Sequence, residues 1–231
     1  MHRSRTTARA AVVACALALA AAPAARAQAW NTPSFQQPRL VSRELNFSLA
    51  DGGVAGTALG FQWRQAFAPR TQLSFDLGLA KPDGAGADTY FLVGGQFGYQ
   101  MVTADREMPL DMMFTVGFNG AIGDPVNFVR VPVGVSLGHR FPVEGGMALT
   151  PYVHPRLSFD VCSEACFGPT DKTDLSVNVD LGMNFEFSRQ LALRLSAMFG
   201  GSDAFGNDDA FGLSLAWTPP GVGRRPTGRR R

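Results

Sequence analysis

Beyond residue 27 the chain carries two histidines, two cysteines and a set of charged side chains on one face of its extended segments, and any chemistry must rest on these. Six acids (Glu44, Asp76, Asp111, Asp160, Asp180, Glu186) and five bases (Arg64, Arg130, Arg140, Arg156, Arg194) share that face. Near-balance of sign suits arginine–carboxylate pairing in a confined polar interior. If the hairpin turns centre on the polar breaks, Arg64 lies diagonal to Asp76, Arg130 diagonal to Asp160, and Glu186 near Arg194, all within reach of long side chains. The predicted interior charge network is Arg64, Asp76, Arg130, Arg156, Asp160, Asp180, Glu186 and Arg194. A narrow charged pore would use the same residues.

Nucleophilic hydrolysis needs a serine beside a histidine base. His154 falls inward at mid-strand with Ser136 and Ser158 as candidate neighbours, but Val153-His154-Pro155 matches no hydrolase motif. His139 falls on the apolar register near a strand end, where an interfacial place suits it better. There is no phosphate loop and no His-Glu-x-x-His element. Cys162 and Cys166 lie in V-C-S-E-A-C-F-G, and an even cysteine count in a secreted chain favours a disulfide between them. A metal there would need two more ligands, and the loop offers Glu164 and Asp171. The expectation is a non-enzyme without cofactor or metal.

The elements that position these residues are strands. Residues 174–187 read D-L-S-V-N-V-D-L-G-M-N-F-E-F, apolar and polar in strict alternation. Period two means a strand with one apolar and one polar face. Ten such segments follow one another, at 43–50, 55–67, 71–80, 89–102, 111–123, 127–141, 147–161, 174–187, 191–199 and 209–218. Several are long for a soluble sandwich and suit a tilted membrane crossing of at least about nine residues. The predicted fold is all-β, an antiparallel up-and-down transmembrane β-barrel of about ten strands, or eight if the first hairpin lies outside. Outward faces include Leu59, Phe61 and Trp63; Leu73, Phe75, Leu77 and Leu79; and Phe211, Leu213, Leu215 and Trp217. Trp63, Phe67, Tyr99, Phe141, Phe187 and Trp217 are the expected interfacial girdle. Inward glycines, Gly134, Gly138, Gly182 and Gly212 among them, give curvature and leave room for arginine and tyrosine side chains to lie across them.

The ends fix the compartment. Arg3, Arg5 and Arg9, then an apolar stretch from Ala10 to Ala22, then Ala25-Arg26-Ala27 read as a secretory signal peptide over 1–27. Residues 28–42 read as a flexible lead-in, 43–218 as the barrel domain, and 219–231, with five arginines, as a basic disordered tail. Without its two ends the chain holds 12 basic and 19 acidic groups, a net charge of −7. No basic patch remains on the body to bind nucleic acid.

The pairing of Arg130-Val131-Pro132-Val133-Gly134-Val135 with Leu149-Thr150-Pro151-Tyr152-Val153 resembles the small bacterial outer-membrane β-barrel proteins, the opacity-like and OmpX-like group. The last strand, Ala210-Phe211-Gly212-Leu213-Ser214-Leu215-Ala216-Trp217, is similar to the aromatic-ending strand that barrel-assembly machinery recognises in that group. The likeness spans residues 43–218, and the chain departs from it by continuing past the last aromatic residue. It implies the bacterial outer membrane, outer-membrane lipid and the assembly machinery as partners, and a structural or surface-contact role. The sequence expectation is accordingly a monomeric, non-enzymatic barrel with a charge-paired interior. A narrow channel for small solutes and a secreted soluble β-protein are the alternatives.

Overall fold

Alternating apolar and polar residues form strands because successive side chains point to opposite faces, and a sheet of such strands can close when its first and last members pair. The computed structural model describes residues 32–52, 56–82, 88–105, 107–123, 127–163, 173–201 and 209–220. Its strands are β1 (Arg43–Gly52), β2 (Gly56–Ala68), β3 (Thr71–Lys81), β4 (Tyr90–Val102), β5 (Asp111–Ile122), β6 (Phe128–Gly138), β7 (Phe141–Pro142), β8 (Ala148–Cys162), β9 (Thr173–Glu186), β10 (Leu191–Gly201) and β11 (Ala210–Trp217). Each pairs antiparallel with its neighbour, and β1 closes on β11 from Leu45↔Trp217 to Gly52↔Ala210. The first hairpin is therefore part of the wall, and the barrel has ten staves.

One expected strand is interrupted. The segment 127–141 divides at His139 and Arg140 into β6 and β7, which both pair with β8 and share one stave. The chain then turns through a 3₁₀ turn, Glu144–Gly146, where Gly145 (φ +76°) and Gly146 (φ +82°) take a left-handed backbone that other residues adopt at a cost. Elsewhere the expected segments match the strands to within a few residues, as in 174–187 against Thr173–Glu186.

The two faces are sorted as the alternation requires. In β11, Phe211, Leu213, Leu215 and Trp217 are exposed outside, while Ala210, Ser214 and Ala216 are buried inside. The expected girdle residues Trp63, Phe67, Tyr99, Phe141, Phe187 and Trp217 are all exposed near the rim that holds Arg43 and Trp217, termed here the terminal rim. His139 stacks edge-on against Phe141 at 4.6 Å in that belt. The exterior is apolar around the circumference, and the buried side is rich in Arg, Asp, Glu, Asn, Gln and Ser. Water would not support such an exterior, because contiguous apolar surface of this extent drives association. Lipid does, and the closed ladder leaves no unpaired sheet edge within it. The chain is a transmembrane β-barrel of the bacterial outer-membrane build.

Candidate functional site in the barrel lumen

Four of the six inward acids form ion pairs with the inward arginines, and a fifth, Asp111, pairs with Arg39. Arg130 on β6 and Asp160 on β8, expected to lie diagonal, are directly opposite in the register and pair through two bonds of 2.6 Å, with Ser176 Oγ donating to Asp160 at 2.9 Å. Both side chains are fully buried. Arg194 on β10 grips Glu44 on β1 through bonds of 2.7 and 2.6 Å and donates to Asn184 at 3.0 Å. Arg140 holds Glu186 at 2.7 and 3.0 Å, and Arg156 reaches Asp180 at 2.8 Å. Two-point arginine–carboxylate geometry is what lets such charges leave bulk water, because isolated buried ions are costly.

The expected partners need adjustment in two places. Arg64 and Asp76 are diagonal, as the register Gln62↔Asp76 and Arg64↔Ser74 requires. Yet the Arg64 guanidinium is 3.7 Å from Glu44 and turns its other nitrogen to carbonyl oxygens inside the barrel. Arg194 and Glu186 stay near one another with Asn184 between them, but their two-point partners are Glu44 and Arg140. Diagonal reach permits several pairings, and which forms depends on what else the lumen contains.

What it contains is the protein's own chain. The flexible lead-in expected over 28–42 is, for the described residues 32–42, packed inside the barrel. Residues 28–31 lie outside the described residues, as do the expected signal peptide and residues 221–231 of the tail. From Ser42 at the terminal rim the segment climbs inside the wall. The Val41 and Leu40 N–H groups donate to Gln72 Oε1 (3.1 Å) and Gln100 Oε1 (2.9 Å). Higher up, Gln100 Nε2 donates to Pro38 O (2.8 Å), Ser136 Oγ to Gln36 O (2.6 Å), and Arg64 Nη2 to Phe35 O (2.9 Å). Gln36 also accepts from Gln96 at 2.9 Å. Phe35 is 4% exposed and holds φ +49°, a left-handed conformation unfavourable for a bulky residue. A dense seat on all sides sustains it. The inward glycines belong to that seat: a Cβ at Gly212 would sit 2.5 Å from Phe35 Cζ, and one at Gly138 would sit 3.0 Å from Pro38 Cγ. Gly182 instead makes room for the Tyr152 ring, and Gly134 for Arg156 and His154.

His154 meets residues other than the expected Ser136 and Ser158. Ser34 Oγ donates to Asp180 Oδ2 at 2.7 Å and lies 2.8 Å from His154 Nδ1, while Thr115 Oγ1 lies 2.9 Å from Nε2. Hydrolytic chemistry needs nucleophile and carboxylate on opposite ring nitrogens. Here Ser34 and Asp180 share Nδ1, since Asp180 Oδ2 is 3.3 Å from it. Thr115 takes the opposite nitrogen, and both it and His154 are buried. The cluster clamps the tip of the inserted segment. A cavity of about 70 Å3 lies above Ser34 and Phe35 between Asn46, Asp76, Asn119 and Arg156, with room for a few waters. No cluster of three or more His, Cys, Asp or Glu suited to a metal occurs among the described residues. Cys162 is buried at the end of β8, and Cys166 lies outside the described residues.

No family model and no curated protein matches the chain. Similar solved structures include the beta domain of the Bordetella autotransporter Brka, at 9% identity with TM-score 0.45, covering 77% of this chain and 98% of that one. Others are the KdgM porin in complex with disordered oligogalacturonate (8%, TM-score 0.39, 76% and 99% covered) and the translocator domain of the autotransporter NalP from Neisseria meningitidis (9%, TM-score 0.40, 78% and 90%). Nothing about activity follows at these identities.

Proposed function

We propose that the protein is a self-plugged outer-membrane barrel, a non-enzymatic scaffold whose loops at the far rim contact the surroundings, in keeping with its resemblance to the opacity-like and OmpX-like group. The observation that carries this reading is the insertion of residues 32–42 into a lumen otherwise lined by ion pairs, beside a cavity of about 70 Å3. In the same reading the chain is exported by a signal peptide over 1–27, folded by the assembly machinery and monomeric. Cys162 and Cys166 form a disulfide that braces a far-rim loop. The terminal rim faces the periplasm. Planar-bilayer recording of the full mature chain tests it: no unitary steps are expected, and reproducible steps would favour the narrow-channel alternative.

A further inference from the structure

The wall binds the main chain of the inserted segment as well as its side chains. Between residues 34 and 41, four wall side chains on four strands satisfy backbone groups of the segment. Arg64 on β2 donates to Ser34 O and Phe35 O, and Ser136 on β6 donates to Gln36 O. Gln100 on β4 donates to Pro38 O and accepts from Leu40 N–H, and Gln72 on β3 accepts from Val41 N–H. Main-chain bonds of this kind bind any extended peptide that fits, and pockets for particular side chains add selectivity. The pockets here are a notch at Gly212 for an aromatic ring, a flat place at Gly138 for a proline, and Gln96 with Met113 Sδ (3.1 Å) for a glutamine side chain.

Three of the wall's ion pairs form without the segment, whereas Arg64, Asp111 and Asp180 each take a partner from it. Arg130–Asp160, Arg194–Glu44 and Arg140–Glu186 are pairs between staves and involve no residue of 32–42. The segment contributes one ion pair, Arg39 to Asp111 at 3.5 Å, and Arg39 is partly exposed. A segment held mostly by hydrogen bonds, against a polar wall that water could wet, is built as an exchangeable occupant. A true core element would be held by apolar burial instead.

We propose that the lumen is a binding site for an extended, largely uncharged peptide containing proline and glutamine, entering from the terminal rim. Residues 32–42 are its resident occupant, and a peptide of the same chemistry takes the site when they withdraw. This rests on the self-plugged reading above. The probe is a fluorescent synthetic peptide of residues 28–42, added to the detergent-folded full mature chain and to the same chain carrying Phe35→Ala, Gln36→Ala and Gln37→Ala. These changes weaken the resident and leave the wall intact. The variant is expected to bind the peptide about tenfold tighter than the unaltered chain. A scrambled peptide should not compete, and adding Gln100→Leu to the variant should lower binding about tenfold. Equal binding by both chains, binding by neither, or equal competition by the scrambled peptide overturns the proposal. If the triple variant loses the heat-modifiable gel mobility of the folded barrel, Ser34→Ala with Gln36→Ala replaces it under the same criteria. Unitary steps from the unaltered chain alongside peptide binding by the variant would overturn the closed-lumen reading alone. A silent unaltered chain with no peptide binding would overturn the site alone.

Discussion

Arg130 and Asp160 show how a single pair supports this barrel. Both are fully buried, and the two bonds of 2.6 Å use both carboxylate oxygens. Arg130→Ala would leave Asp160 buried with Ser176 as its main remaining donor and should destabilise the barrel by about 3–5 kcal/mol. The double variant Arg130→Leu with Asp160→Leu removes both charges and should cost less than either single change. Urea midpoints read from gel mobility check this, and a double variant that loses as much as either single variant would refute it. At this scale much was legible: the network residues could be picked out by inward register, and Arg130 and Asp160 do meet. The partner of Arg64 was not legible, because it depends on carbonyl oxygens of Ser34 and Phe35, thirty residues away along the chain.

At the scale of elements, period two was nearly sufficient, because in a barrel every stave has one lipid face and one lumen face. It says less about ladder quality. Pro132 on β6 and Pro155 on β8 carry no N–H to donate. Register pairs are absent between Val116↔Val133 and Asn119↔Arg130, and again between Gly134↔Arg156 and Leu137↔Val153. The β9–β10 ladder is unbroken from Ala192↔Glu186 to Gly201↔Val177. Hydrogen exchange of the detergent-folded protein should therefore open the β5–β6–β8 seam first, with amides of Phe118 and Ser136 exchanging before those of Met183 and Leu195. Uniform protection around the barrel would count against this. The division of the sixth stave into β6 and β7 was hidden for a related reason: Gly145 and Gly146 mark the turn, but the alternation runs on past His139 and Arg140.

At the scale of the whole molecule, the direction of the inserted segment constrains how the protein matures. Ser42 is at the terminal rim and Thr32 is deep in the lumen beside the cavity. Only the four residues 28–31 separate Thr32 from the expected cleavage after Ala27, a reach of about 14 Å at full extension. An uncleaved leader would have to be threaded into the barrel along with the segment, so release of the leader should come before the plug seats. Replacing Ala25 and Ala27 with Leu removes the small-x-small site. The uncleaved form should show bilayer conductance that the processed form lacks, and a silent uncleaved barrel would show that the lumen closes without processing.

The sequence by itself determined the strands, their two faces, the near-neutral charge of the interior and the aromatic belt, because each follows from periods of two residues and from local composition. It could not reveal that residues 32–42 occupy the lumen. Pro33, Pro38 and paired glutamines have no period of their own, and their partners Arg64, Gln72, Gln100, Ser136 and Asp180 come from five staves. Those side chains converge only when β1 closes on β11, so closure of the barrel decided that the lumen is a filled, peptide-lined site.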